Sequence, residues 1–244
     1  MIRLSNLLLY GVVAMALSHL LDFPISNLFK PGEQSQSDLL KLFRSWGFLG
    51  TWLLIAISAQ LLSQPKDSKP LAGWKHALDQ KAWLLLAAPM LSGGMAEIIK
   101  LAVRRIRPNG DPSYVFRSWF DHPFSTSGIG FPSSHTAVAF AGSTIIFYHY
   151  PKLQIPALTM AVGCLATRVM SGAHYFSDGI GGVLVGISAG LLCIRLNSFI
   201  TQRDLKAMSR KTATRAIPIA PNPAAISTAR HSTPEVLATM DLSR

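Results

Sequence analysis

Long apolar stretches separated by short polar segments are the dominant pattern of this chain of 244 residues. A helix of about twenty apolar residues is long enough to cross the hydrocarbon core of a bilayer. Prolines and glycines interrupt several stretches, and neighbouring helices accommodate such interruptions inside a bundle. The pattern predicts an all-α, polytopic membrane bundle of about six transmembrane helices within residues 1–200. The six stretches are Leu4–Leu21, Trp46–Leu62, Ala82–Ile99, Ser134–Tyr150, Leu153–Met170 and Ile180–Ile200.

The first stretch has a second interpretation, as a secretory signal peptide. Arg3, the run Leu7–Val13 and the small residues Ala14-Met15-Ala16 match the basic, apolar and cleavage regions of such a signal. Apolar residues continue beyond that point as far as Leu21, which favours a retained helix. The sequence leaves both interpretations open.

Composition agrees with a membrane protein, since 49% of the residues are hydrophobic, 14% are charged and the mean hydropathy is +0.31. Cys164 and Cys193 lie in predicted spans without metal-ligand spacing, so we expect buried, free thiols. Residues 201–244 lack a sustained apolar period and are rich in Thr, Ser, Ala, Pro and Arg. We expect a basic, mostly disordered cytoplasmic tail there, either solvated or in contact with anionic lipid headgroups.

The net charge of +11 raises nucleic acid as a partner, but the distribution of the charges argues against it. If the amino terminus is cytoplasmic, 14 of the 23 Lys and Arg residues fall on the cytoplasmic side of a six-span topology. The positive-inside rule then places both termini in the cytoplasm of a bacterial inner-membrane protein, with the polar clusters described next on the outer face. These cations are Arg3, Lys66, Lys69, Lys75, Lys81, Lys152, Arg195 and seven in the tail.

Lys100, Arg107 and Pro108 form the first polar cluster, at the end of the third stretch. On a continuous helix, Lys100 and Arg107 would be two turns, roughly 10 Å, apart on one face. Two cations on one face can hold one anion, and Pro108 would end the helix. The alternative is that these cations, with Arg104 and Arg105 between them, only snorkel to the interface as a basic cap.

Pro132, Ser133, Ser134 and His135 form the second cluster, where the fourth stretch begins. At the start of a helix, free backbone N–H groups and the positive end of the helix dipole favour an anion. A serine hydroxyl adds a donor for a phosphate oxygen, and His135 can give a proton to a leaving group. The alternative is helix capping by Ser133 or Ser134, which explains the serines but not the histidine.

Arg168, His174 and Asp178 form the third cluster. His174 and Asp178 are one helical turn apart, so the carboxylate can accept the Nδ1 proton and present Nε2 as a nucleophile. Arg168 offers a planar fork for phosphate oxygens, and Ser171-Gly172 predicts a turn that folds Arg168 back toward His174. A structural His–Asp pair is the alternative for these residues alone.

In this order, the motifs K-x6-R-P, P-S-S-H and R-x5-H-x3-D resemble the three signature motifs of the type 2 phosphatidic acid phosphatase and haloperoxidase superfamily, over about residues 80–200. The resemblance implies that His174 attacks phosphorus to give a phosphohistidine, that Asp178 orients His174 and that His135 protonates the leaving oxygen. It also implies no cofactor and a phosphate site of five residues. These are Lys100, Arg107, Ser133, Ser134 with its backbone amide, and Arg168.

Two positions depart from the family pattern. The second motif usually has glycine where this chain has Ser134, and the third usually has serine where this chain has Thr167. A backbone N–H survives the first change and a hydroxyl survives the second, so neither removes a group that the chemistry requires. Glu97, one turn before Lys100, either neutralises this lysine in the empty site or forms a structural ion pair with it.

Three further features bear on packing and on the membrane. Gly182, Gly186 and Gly190 recur every four residues and permit close helix contact, within the chain as the first interpretation and in a homodimer as the second. The Asn109–Phe131 loop is long and aromatic enough to lie at the membrane interface over the site, beside the amphipathic segment Asp38–Arg44. Its aromatic residues include Tyr114, Phe116, Trp119 and Phe120.

The sequence therefore predicts an integral-membrane phosphatase that hydrolyses a lipid phosphate or diphosphate, such as phosphatidate, a polyprenyl phosphate or diphosphate, or a lipid A phosphate. The motifs contain no carboxylate cluster of the kind that holds Mg²⁺, so we expect catalysis without a metal. The alternatives are a lipid phosphotransferase, and a transporter or non-catalytic protein that binds an anion or lipid. His135, His174 and Asp178 favour catalysis, because anion binding alone needs only the cations.

Overall fold

The computed structural model describes residues 4–29, 37–63, 79–108 and 113–215, and the side chains within residues 9–210 of these ranges. Helices dominate this part of the chain, whose β-structure is confined to the isolated bridges Arg105–Phe116 and Ile106–Ile129. The all-α prediction is confirmed. The helices are α1 (Leu4–Leu28), α2 (Asp38–Ser45), α3 (Leu49–Leu62), α4 (Gln80–Val103), α5 (Ser134–His149), α6 (Gln154–Met170, after a 3₁₀ turn at Pro151–Leu153) and α7 (Phe176–Arg215).

The predicted count of about six membrane spans is approximate. Among the described helices, α1, α4, α6 and α7 are long and apolar enough to cross a bilayer, and α2 with α3 forms a fifth span if this bent pair is counted as one. Helix α5 has 16 residues, so it is about 24 Å long and shorter than the hydrocarbon core. Every residue from Thr136 to Ile146 is buried, because protein rather than lipid surrounds α5.

The predicted span Trp46–Leu62 is broken at its start. Helices α2 and α3 meet at an angle of 67°, with Trp46, Gly47 and Phe48 in the bend. A Cβ atom on Gly47 would lie 2.6 Å from the carbonyl oxygen of His135 and 2.7 Å from Sγ of Cys164. The bend therefore fits tightly against α5 and α6, and it brings α2 to the same end of the bundle as the start of α5.

The glycine ridge of α7 packs against α5 within the chain, as in the first of the two interpretations. A Cβ atom on Gly182 would lie 2.6 Å from the carbonyl oxygen of Ser133, and one on Gly190 would lie 2.7 Å from Cβ of Thr144. Between them, Gly186 faces the backbone of Ala137. This close approach fixes the second motif, at the start of α5, beside the third motif, at the start of α7.

Helix α7 continues well beyond the predicted end of its span. The described residues up to Ser198 belong to one compact unit, and those from Phe199 belong to a second. The second unit begins as a helix that reaches Arg215, so the prediction of a disordered tail is wrong for residues 201–215. Residues 216–244 lie outside the described ranges. Both cysteines are buried and free, as expected.

Substitution of Gly186 by alanine tests the contact between α5 and α7. The added Cβ would overlap the carbonyl oxygen of Ala137, and overpacking of this kind costs about 1–3 kcal/mol. We expect Gly186→Ala to lower the midpoint of thermal unfolding in detergent. Gly94→Ala is the matched control, because no atom lies within 4 Å of a Cβ at that position. Equal stability of the two variants would contradict this packing.

Candidate active site

The first motif does not lie on one helix, which corrects the prediction for Arg107. Helix α4 ends at Val103, and Arg104 follows it in the left-handed conformation with a φ of 59°. The chain then turns back, and the Arg107 N–H donates to the carbonyl oxygen of Gly128 at 3.1 Å. Lys100 thus lies on α4, whereas Arg107 reaches the site from the segment after it, with an exposed side chain.

Lys100 is held in a triad with Glu97 and Ser134. Its Nζ donates to Oε1 of Glu97 at 2.7 Å and to Oγ of Ser134 at 2.5 Å, and Ser134 donates to the same carboxylate oxygen at 2.5 Å. Lys100 is 6% exposed, so the carboxylate neutralises a nearly buried cation. The ion pair considered from the sequence is present. The hydroxyl of Ser134, at the position where the family usually has glycine, gives this lysine a second partner.

Ser133 begins helix α5 without capping it through its side chain. Its backbone N–H donates to the carbonyl oxygen of Asp178 at 2.9 Å, and Thr136 donates to its hydroxyl oxygen at 3.0 Å. Ser133 is fully buried beneath the site. Ordinary capping by the two serines is therefore not their role, and the contact with Asp178 joins the second motif to the third.

His174 lies in the turn between α6 and α7 and is 3% exposed. Its Nδ1 is 2.9 Å from the carbonyl oxygen of Gly130 and 3.5 Å from Oδ2 of Asp178. The predicted contact with Asp178 is thus present, but the Gly130 carbonyl, which the motifs do not reveal, is the nearer acceptor. Two acceptors at Nδ1 require a proton there, so the lone pair is on Nε2.

The environment of His174 also keeps its ring neutral. Burial lowers the pKa of His174 below its ordinary value, and the neighbouring Asp178 opposes this shift. The positive charges of Arg168 and Arg107 act in the same direction as burial. At neutral pH the imidazole therefore has an unprotonated Nε2, as a nucleophile requires.

The remaining cations converge on His135 and His174. Arg168, on α6, is 7% exposed, and its Nε is buried without a hydrogen-bond partner. The charge of Arg107 acts on both Arg168 and His174. Arg44, at the end of α2, acts on Arg168 and His135. Sequence reasoning placed the α2 segment on this face but did not select Arg44.

Arg104 and Arg105 are both buried, so the interpretation that they form a snorkelling basic cap is wrong. Arg104 donates to the carbonyl oxygens of Arg117, Pro123 and Asp121 at 3.3, 3.2 and 2.5 Å, and thereby orders the loop over the site. Arg105 instead pairs with the carboxylate of Asp178. The sequence signal for these contacts was a pair of adjacent arginines in an apolar stretch.

The loop over the site exposes part of its aromatic content. Phe116, Trp119, Phe120 and Phe124 are 58%, 63%, 97% and 90% exposed. Tyr114 departs from the expectation for this loop, because it turns inward and its hydroxyl donates to Asp22 of α1 at 2.8 Å. The described part of the loop thus presents phenylalanine and tryptophan outward, as side chains at a membrane interface do.

Comparison with known proteins agrees with these three motifs. The profile of the PAP2 superfamily matches residues 81–202, half of the chain. The chain belongs to the PAP2 superfamily. It is a multi-pass membrane protein, and its three motifs meet at one end of the helical bundle.

This PAP2 protein is similar to three curated relatives and to one solved structure. It is 29% identical to the lipid A 1-phosphatase of Rhizobium etli, over 76% of this chain and 81% of the relative. It is 31% identical to lipid A 1-phosphatases of Rhizobium johnstonii and Porphyromonas gingivalis, over 42% of this chain in each case and 42% and 20% of those proteins. The transmembrane PAP2-type phosphatidylglycerolphosphate phosphatase of Bacillus subtilis has the same fold, with a TM-score of 0.55, 20% identity, and coverage of 80% of this chain and 96% of that one.

Substitutions of the two histidines test their roles in this PAP2 site. His174→Ala should abolish phosphate release, because no nucleophile remains. His135→Ala should slow substrates with poor leaving groups by about 10²–10⁴-fold and good leaving groups much less, because good ones need little acid assistance. Turnover by the wild-type protein should decline at low pH as His174 becomes protonated. Since the pKa of His174 is lowered, this decline should lie below pH 6.5. Near-normal turnover by folded His174→Ala would refute the assignment.

Proposed function

We propose that this protein is an integral-membrane phosphatase that hydrolyses a lipid phosphate through a phosphohistidine on His174. The observation that carries the proposal is the geometry of that histidine. Its Nδ1 lies against the Gly130 carbonyl and Asp178, which leaves the lone pair on Nε2, and the charges of Arg107 and Arg168 act on the same ring. A site that only bound an anion would need the cations but not the oriented imidazole.

In the first step, the phosphoryl group lies between Lys100, Arg107 and Arg168, near the backbone N–H groups at the start of α5. Nε2 of His174 attacks phosphorus as the bond to the lipid oxygen breaks. His135, which takes up a proton when the negatively charged phosphate binds beside it, gives this proton to that oxygen, so the lipid leaves as an alcohol. The cations stabilise the charge on the three phosphoryl oxygens, and such preorganised groups are typically the largest contribution to catalysis.

In the second step, water takes the place of the departed lipid. His135, now neutral, accepts a proton from this water while the oxygen of the water attacks phosphorus. The bond between phosphorus and Nε2 breaks, and inorganic phosphate leaves. The proton on Nδ1 remains between Gly130 and Asp178 throughout, so the ring returns to its starting tautomer.

A groove beside the site supports a lipid as the substrate. It has a volume of about 340 Å³. Its polar lining residues are Glu97, Ser134 and His135, and its apolar lining residues include Phe48, Leu49 and Val138. Phe48 and Leu49 are 62% and 42% exposed. A phosphate held at Lys100 would therefore have apolar surface next to it for an acyl chain, and the outward aromatic residues of the loop would lie among headgroups.

Among lipid phosphates, we propose a lipid A type 1-phosphate as the first substrate to test. One relative, which covers 76% of this chain at 29% identity, is a lipid A 1-phosphatase. Phosphatidate and a polyprenyl phosphate or diphosphate carry the same phosphoryl group, and they are the next substrates to test. A phosphotransferase and a non-catalytic lipid-binding protein remain as outcomes of the test.

Phosphate release by the purified protein in detergent tests this function. We expect release from a lipid phosphate in excess chelator, because Lys100, Arg107 and Arg168 supply the charge that a metal would otherwise supply. Vanadate should inhibit, since a five-coordinate adduct on His174 would mimic the transferring group, and such analogues bind tightly. Loss of activity in chelator, restored by Mg²⁺ or Zn²⁺, would refute metal independence. Phosphate appearing only on an added acceptor would indicate a phosphotransferase.

We also propose that the active site faces the outside of a bacterial inner membrane, with both termini cytoplasmic. The excess of Lys and Arg in the segments that a six-span topology puts on the cytoplasmic side, counted from the sequence, supports this orientation. Fusions after Arg244 should be active only with a cytoplasmic reporter, and insertions near Phe120 only with an external one. The reverse pattern would place the site on the cytoplasmic leaflet.

A further inference from the structure

Arg105 lies in a closed polar pocket behind the nucleophile. It is 3% exposed, and its guanidinium pairs with Oδ1 of Asp178 and donates to Oγ of Ser177 at 2.8 Å. Its Nη1 lies 3.8 Å from Oδ2 of Asp22, on α1. The guanidinium thus lies between two carboxylates, one of which contacts His174.

Three aromatic rings enclose the guanidinium. The carbon at its centre lies 4.9, 5.0 and 5.4 Å from the ring centroids of Tyr114, Phe131 and Tyr175. Its Nε is buried without a hydrogen-bond partner, so the terminal nitrogens make the polar contacts that determine its orientation. Cation–π contacts of this kind strengthen when water is excluded.

Asp22 connects α1 to this pocket. It is fully buried and accepts hydrogen bonds from the Ser177 N–H at 2.7 Å, from the Ser177 hydroxyl at 2.5 Å and from Tyr114. The Ser177 N–H is one of the first in α7 and has no partner within that helix. Asp22 therefore fixes the first turn of α7, one residue before Asp178.

The two oxygens of Asp178 have different partners. Oδ1 contacts Arg105, whereas Oδ2 accepts from the Tyr175 N–H at 2.9 Å and lies 3.5 Å from Nδ1 of His174. A carboxylate held at one oxygen alone could rotate away from the imidazole. Arg105 removes that freedom and balances the buried negative charge.

We propose that Arg105 is a positioning residue for the nucleophile, acting through Asp178, and that Asp22 holds Arg105 and Ser177 in place. The amino-terminal helix α1 is thereby part of the catalytic unit. The residue acts on the imidazole and not on the phosphate. This assignment rests on the proposed role of His174 and adds two residues outside the three motifs.

The first measurement is the titration of His174 by ¹⁵N NMR of the full-length protein in detergent, with His174→Gln to assign its signal. Arg105→Gln removes the charge beside Asp178, and the unbalanced carboxylate should hold the imidazole proton more strongly. The pKa of His174 should therefore rise. The other charged or titratable groups around Arg105, Asp178 and His174 are all unchanged in the variant. They are Asp22, Tyr114, Tyr175, Arg107, Arg168, His19 and His135.

The second measurement is turnover of a lipid phosphate as a function of pH. Arg105→Gln should lower kcat by about 10- to 100-fold, by analogy with the loss of an outer partner that orients a metal-binding histidine, and leave KM nearly unchanged. The acid limb should move to higher pH. Arg105→Lys restores the positive charge but not the planar guanidinium. It should therefore return the acid side of the pH profile toward its wild-type position and recover part of kcat.

Two further variants separate positioning from general disruption. Arg104→Gln is the matched control, because Arg104 is equally buried but binds loop carbonyls, and it should leave the titration of His174 unchanged. Asp22→Asn should lower kcat several-fold by itself, and its effect should not simply add to that of Arg105→Gln, because both residues act on the position of Asp178.

The outcomes distinguish this proposal from the proposed function. Absence of turnover by the wild-type protein would refute the function, while the NMR titration would still decide the role of Arg105. An unchanged or lower pKa of His174 in Arg105→Gln would overturn the positioning role. So would an equal shift in Arg104→Gln, because the effect would then be structural.

Discussion

The site depends on the close contact between α5 and α7. Three glycines let the two helices approach until a Cβ would clash with the opposite backbone, or at Gly190 with the side chain of Thr144. At the end of this contact, the Ser133 N–H donates to the Asp178 carbonyl oxygen at 2.9 Å. The start of one helix and the first turn of the other are therefore fixed relative to each other. Helix α5 can be short and buried from Thr136 to Ile146 because its role is to place Ser134 and His135 beside the third motif.

Much of this arrangement could be predicted from the sequence. The order and spacing of the three motifs identify His174, Asp178 and the cations, and the four-residue glycine ridge identifies a packing face. Motif residues are recognisable because polar groups in a membrane chain are costly unless they serve a site. The roles assigned to these residues remain predictions until turnover is measured.

Other parts could not be read from the chain because they depend on where helices end. The spacing of Lys100 and Arg107 suggested one face of a helix, whereas Arg104 ends α4 in the left-handed conformation and sends Arg107 along a different path. The Gly130 carbonyl has no side-chain signal at all. The bend at Gly47 arises from a tight fit against α5 and α6, which a hydropathy pattern does not reveal.

The charges of the site alternate in sign along the path from α1 to the phosphate. Buried Asp22 comes first, followed by Arg105 and then Asp178. The neutral ring of His174 comes next, and the positive charges of Arg107 and Arg168 also act on this ring. Burying a lone charge is expensive, and removing one partner of a buried pair costs about 3–5 kcal/mol. Each charge in this series therefore requires the next. The geometry of the nucleophile is consequently tied to a helix that carries none of the three motifs, which explains why conserving motif spacing alone would not be enough to build this site.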